Sequence, residues 1–234
     1  MAPIGLAHRG DWSNAPENTL AAFAAAERAG ADMIELDVQQ TADGAVVVVH
    51  DETLDRVWSV PRAVADLTLD EIRAVGSGED DGRILALSEV LARFDLPIML
   101  DYKEETGAVE PALAEVRAAD AVDRVIWAGH NLVGHRLLRE LEPGARIALS
   151  WTNATPPSER LLGELGVEWF NPDWRIVEPA VVDAMHELGL AVSTWTVDDR
   201  AAMVRLLDLG VDALISNNVH ELVDVLGERR AATC

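Results

Sequence analysis

The chain has 234 residues, 49% hydrophobic and 26% charged, which is enough apolar material for a packed core and unlike a disordered chain. Its 41 acidic against 19 basic residues give a formal charge of −22, the wrong sign for a nucleic-acid binder or for an anionic membrane surface. Cys234 stands alone, so no internal disulfide forms. No signal-peptide pattern opens the sequence and no apolar run reaches about 18 residues, so the expectation is a cytoplasmic protein without membrane insertion.

Taken in chain order, short β-branched runs alternate with Ala-, Leu- and Glu-rich helical stretches. A first strand over 4–7 ends at His8, and a helix over 18–29 stops at Gly30, a left-handed cap. Strands at 33–38 and 46–49 are joined through Asp43-Gly44, a tight-turn dipeptide. Helices follow at 69–75 and 88–94, the second with Ser88 as its cap. Further strands are expected at 98–102, 125–128, 147–151, 167–170, 191–197 and 213–215. Helices are expected between them, at 111–119, 133–141, 159–165, 179–188, 200–209 and 220–226.

About eight strand–helix repeats in so short a chain predict a (β/α)₈ TIM barrel, one domain over residues 1–234. An open doubly wound sheet shares the periodicity but suits the count less well. Residues 51–83 are polar and rich in Asp and Gly, and read as a short insertion after the second strand.

In such a barrel the chemistry gathers at the C-terminal strand ends. There the sequence carries His8 and Arg9, then Glu35 and Asp37, then His50, then Asp101 and Lys103, and later Trp195. Residues two apart on a strand face the same side, so Glu35, Asp37 and Asp101 are expected to converge at the barrel mouth. Three unpaired carboxylates there would repel one another, and a hard divalent cation bound through oxygen resolves the conflict. His8 and His50 then suit a general acid–base pair, while Arg9 and Lys103 suit phosphate oxygens. Together these parts point to metal-assisted phosphoryl transfer. Trp195 is expected to wall the substrate pocket. Glu17 is expected to support the neighbourhood of His8, although helix capping would also account for it and for Asn18. Asp51 and Arg56 read as loop anchors. His130, His135, His186 and His220 lack any such setting and read as surface or structural residues.

The run from His8 to Arg56, with HRG, PENT, Gly-Ala-Asp, ELDV, HD and LDR in order, resembles the signature of the glycerophosphodiester phosphodiesterase family. The closing stretch, with WTV and GVD, is similar to that family's C-terminal segment. The resemblance implies a (β/α)₈ fold and a small-molecule glycerophosphodiester as substrate. It implies His8 and His50 as the catalytic pair and Arg9 as a phosphate ligand. Glu35 and Asp37 would ligate one Mg²⁺ or Ca²⁺. Asp101 stands where the family has a Glu, one methylene longer, which opens the way to a water-mediated ligand or a shifted metal preference. Ser216-Asn217 replaces the family's usual Thr-Asp, and Ala128-Gly129-His130 its usual Ser-Phe. The competing readings are a related metal-dependent phospholipase or phosphodiesterase acting on another headgroup, a phosphate-binding barrel without catalysis, and a Schiff-base enzyme using Lys103. The last fits poorly, because Glu104 and Glu105 do not depress an amine pKa.

Overall fold

A computed structural model describes residues 2–75, 82–102 and 107–233. Among the described residues nine strands follow in chain order: β1 (Ile4–His8), β2 (Met33–Gln40), β3 (Val46–Val48), β4 (Ile98–Tyr102), β5 (Val125–Gly129), β6 (Arg146–Trp151), β7 (Trp169–Pro172), β8 (Ala191–Thr194) and β9 (Ala213–Ser216). All but β3 run parallel, and β1 pairs with both β2 and β9, which closes an eight-stranded barrel. This is the (β/α)₈ architecture expected from the alternation.

The α-helices of the same residues are α1 (Leu20–Ala29), α2 (Asp55–Trp58), α3 (Leu69–Arg73), α4 (Leu87–Arg93), α5 (Val109–Ala118), α6 (Leu132–Leu141), α7 (Glu159–Leu165), α8 (Pro179–Glu187), α9 (Arg200–Asp208) and α10 (Val219–Thr233). The cap of α1 shows the local logic. Thr19 accepts the Ala22 amide at one end, and Gly30 takes a left-handed φ of 94° at the other.

Side-chain alternation sorts each strand into two layers. On β2, Ile34, Leu36 and Val38 pack outward against the helices, while Met33 faces the barrel interior with Glu35 and Asp37 above it. On β4, Ile98, Leu100 and Tyr102 face out, and Met99 and Asp101 face in. Leu6, Met33, Met99, Ile126, Trp169 and Ala213 form a dry floor inside the barrel. One residue pair further along β1, β2, β6 and β7, the same inward column turns polar, with His8, Glu35, Ser150 and Asn171, whereas β5 and β9 stay apolar with Ala128 and Ile215. The gradient from apolar floor to polar mouth places Glu35, Asp37 and Asp101 at the C-terminal end.

The insertion expected at 51–83 follows β3, which pairs antiparallel to β2 with Val38 opposite Val48. It is less polar than its composition suggests. Leu54, Val64, Leu67, Ile72 and Ile84 bury themselves against Val47 and Val49 in a small core of their own. Ser88 does not cap α4 as expected. The helix starts one residue earlier, and the Glu89 carboxylate reaches back to accept the Ala86 amide at 2.9 Å. The strand expected at 191–197 is also shorter, ending at Thr194, so Trp195 sits on the loop beyond it.

His135 is fully buried and structural, as expected. Its Nδ1 lies 2.6 Å from the Tyr102 hydroxyl and its Nε2 3.1 Å from the Gly129 carbonyl, a pairing that suits a neutral ring. Burial holds its pKa down at about 4. Unfolded, the same ring takes a proton below its ordinary value of about 6.5, so stability is complete above that pH and declines as pH falls toward 4. This group alone is expected to remove roughly 3 kcal/mol over that window. Urea unfolding at pH 7 and pH 4.5 checks it, and the component is expected to vanish in His135→Gln.

Candidate active site

The barrel mouth holds a cavity of about 180 Å³. One wall carries His8, Arg9, Glu35, Asp37, His50 and Asp101, and the other carries Ser150, Asn171, Trp195 and His130. Strand register assembles the first wall, since His8 pairs with Glu35 across β1–β2 and Asp37 with Asp101 across β2–β4. One oxygen each from Glu35, Asp37 and Asp101 lies within 4.8 Å of the others. Burial, together with the charges of Asp37 and Asp101, pushes the Glu35 carboxyl well above its usual range. Three hard oxygen donors crowded in this way fit a divalent cation, and the shorter Asp101 reaches the group.

Both imidazoles border the acids. His8 Nε2 is 3.9 Å from Glu35 Oε2, and His50 Nε2 is 4.0 Å from Asp37 Oδ1. Their other nitrogens meet different partners. His8 Nδ1 lies 2.6 Å from the side-chain oxygen of Asn217, and His50 Nδ1 lies 2.6 Å from the Asp51 carboxylate. Burial and the adjacent Arg9 charge lower the His8 pKa. At Asp51 burial alone would raise the pKa, but hydrogen bonds from Arg56 and His50 outweigh it and hold the carboxyl at about 2.

Arg9 occupies a left-handed backbone position with φ 60°, where its amide bonds the Glu35 carbonyl at 2.9 Å. The next residue must be glycine. Gly10 has φ 82°, and a Cβ there would lie 2.7 Å from the Ala22 carbonyl carbon. The Arg9 side chain donates to Glu17 at 2.9 Å and sets its Nε 3.2 Å from Asp37. Glu17 also accepts both terminal nitrogens of Arg56, whose Nε donates to Asp51. Charges thus alternate through Arg9, Glu17, Arg56 and Asp51 to His50. Glu17 therefore meets Arg9 beside His8, and Asp51 and Arg56 do more than anchor a loop, because they orient an imidazole.

Sequence reasoning missed several members of the site. Asn18 is no helix cap, because Thr19 holds that position, and its amide donates to Asp37 at 3.1 Å. His130, expected as a surface or structural residue, is exposed but lines the cavity with its ring edge-on to Trp195 at 5.7 Å. Trp195 is pinned by a bond from its indole nitrogen to the Asn171 carbonyl at 2.9 Å. Behind it, the Ser193 hydroxyl donates to Asn171, whose amide donates to Ser150, a buried polar ladder across three strands. Lys103 lies outside the described residues.

The profile of the Glycerophosphoryl diester phosphodiesterase family matches residues 8–221. The chain belongs to this family. A relative named glycerophosphodiester phosphodiesterase, from Caldanaerobacter subterraneus subsp. tengcongensis, is 31% identical over 97% of this chain and 98% of its own length. The crystal structure of a glycerophosphodiester phosphodiesterase from Thermotoga maritima superposes with a TM-score of 0.81 at 27% identity, covering 96% of this chain and 99% of that one. Another from Agrobacterium tumefaciens gives 0.83 at 25% identity, covering 96% and 99%. The family profile begins at His8, so both imidazoles and all three acids fall inside the matched span. Among the described residues, no helix is long and apolar enough to cross a membrane.

Proposed function

We propose that this chain hydrolyses glycerophosphodiesters to sn-glycerol 3-phosphate and an alcohol, using one divalent cation, Mg²⁺ or Ca²⁺. The observation that carries the reading is the junction of two imidazoles with one acidic cluster, each with its Nε2 within 4.0 Å of a carboxylate. Glu35, Asp37 and Asp101 would hold the cation. When bound, it supplies Lewis-acid stabilisation to the phosphoryl oxygens and offsets the local share of a −22 charge.

The protein groups supply the rest. His8 and His50 stand on two sides of the acidic cluster and carry protons, one from the attacking oxygen and one to the leaving oxygen. Arg9, steadied by Glu17 and Asp37, and Lys103 offer positive charge to the phosphate. Trp195 walls the pocket on the far side.

The test is turnover on glycerophosphocholine, glycerophosphoinositol and lysophospholipids, after chelation and again after adding back Mg²⁺, Ca²⁺ or Mn²⁺. Release of sn-glycerol 3-phosphate only with metal present is expected. Equal rates with and without chelator, or turnover confined to lysophospholipids, would overturn the proposal.

A further inference from the structure

We infer that Asn217, clamped by Asp198, is a positioning residue that keeps the His8 proton on Nδ1 and leaves the Nε2 lone pair facing the acidic cluster. The inference rests on the proposed function, since it takes His8 as a proton carrier.

The orientation of one amide decides the tautomer. Asp198, on the loop before α9, accepts the Asn217 side-chain nitrogen at 2.8 Å and its backbone amide at 2.8 Å. It also accepts the Ser216 hydroxyl at 3.1 Å, and the Val197 amide bonds the Ile215 carbonyl at 2.9 Å, so loop and strand end are held together. An ionised carboxylate only accepts hydrogen bonds, so the amide nitrogen must face Asp198 and the amide oxygen must face His8. That oxygen in turn only accepts. At 2.6 Å from His8 Nδ1 it therefore demands a hydrogen on that nitrogen.

A neutral His8 then has its single lone pair on Nε2, which opens on the acidic side of the cavity. There Nε2 takes the proton of the attacking oxygen, and Nδ1–H···O stays intact before and after the transfer. Only the proton on Nε2 changes. The amide needs no rotation during turnover, which is what a preorganised orienting group provides.

The same geometry explains why residue 217 is an amide while 198 is an acid. An aspartate at 217 would bring two carboxylates to hydrogen-bond distance with no donor between them. Exchanging the two residue types restores a donor. The amide, now at 198, donates to the carboxylate at 217, which still accepts from His8.

Nitrogen-15 NMR of the imidazoles in Mg²⁺-loaded protein reads the tautomer directly. A protonated Nδ1 and bare Nε2 on His8 are expected in the unaltered chain, and a mixture of both tautomers in Asn217→Ala. In kinetics on glycerophosphocholine, Asn217→Ala is expected to lower kcat about 10- to 100-fold with KM changed less than about 3-fold. Asn217→Asp is expected to lose a similar amount, and Asn217→Asp with Asp198→Asn to recover most of it. Protonation of Nε2 in the unaltered chain, or kcat within about 2-fold in Asn217→Ala, would overturn the inference. The two readings fail separately. Loss of turnover in His8→Ala with none in Asn217→Ala rejects the positioning role alone, whereas full turnover in His8→Ala rejects the proposed function itself.

Discussion

His8→Ala and His50→Ala are each expected to lower kcat on a glycerophosphodiester by about 10²- to 10⁴-fold, the usual worth of a positioned proton carrier. Neither ring is spare. Each presents Nε2 to a different acid of the same cluster, and each is fixed through Nδ1 by its own partner, so one ring cannot swing across to replace the other. Because the Nε2 atoms lie 3.9 Å from Glu35 and 4.0 Å from Asp37, removing either ring should leave cation affinity close to that of the unaltered chain. Steady-state kinetics with calorimetric titration of Mg²⁺ separates the two effects. Near-normal rates in both variants would remove the imidazoles from the chemistry. Asp51→Asn should be milder, since it weakens the orientation of His50 without deleting the ring.

Glu35→Gln is expected to separate stability from cation binding in opposite directions. Without a cation, the buried Glu35 carboxyl is disfavoured as an anion by burial and by two neighbouring acids. A neutral amide of the same shape relieves that repulsion, so the metal-free variant should melt higher than the metal-free parent. Adding cation reverses the order. A ligand at about 100 times its Kd stabilises the parent by about 2.7 kcal/mol, and the variant, one anionic donor short, should gain almost none. Its turnover should fall with its affinity. Scanning calorimetry in chelator and in Mg²⁺ decides the matter, and a parent whose Tm ignores both would remove the cation from the cluster.

The difference between what was legible in the chain and what was not has a physical cause. Glu35 and Asp37 sit two apart on one strand, so a period-two pattern alone puts them on one face. His8 and His50 follow apolar runs, and the strand-end rule of parallel barrels gave them a location. Asn217, Asp198, Ser150, Asn171 and His130 come singly from five different loops and strands of the far side. No local periodicity marks such residues, because only the closure of the barrel brings Ser150, Asn171 and His130 into the cavity wall and sets Asn217 and Asp198 behind His8. Asn18 misleads for a different reason: an Asn before an apolar run resembles a cap, and the true cap is its neighbour Thr19. The insertion looks polar in the sequence because its buried positions are scattered singly among acids and glycines rather than repeated at a regular interval.

One imidazole rides on a barrel stave and the other on an appendage. His8 belongs to β1, whereas His50 follows β3, an antiparallel strand tied to β2 through Val38–Val48, Gln39–Val47 and Gln40–Val46. The spacing of the two rings is therefore quantised by hairpin register, in steps of about 3.3 Å per residue, rather than tuned continuously. A single residue added to the turn at 41–45 offers the appendage only two outcomes. It bulges, leaving His50 where it was, or it slips, turning the imidazole to the opposite face. Changes in length at this turn should thus leave activity whole or extinguish it, with few intermediate variants, while length changes in loops elsewhere around the rim should act by degrees.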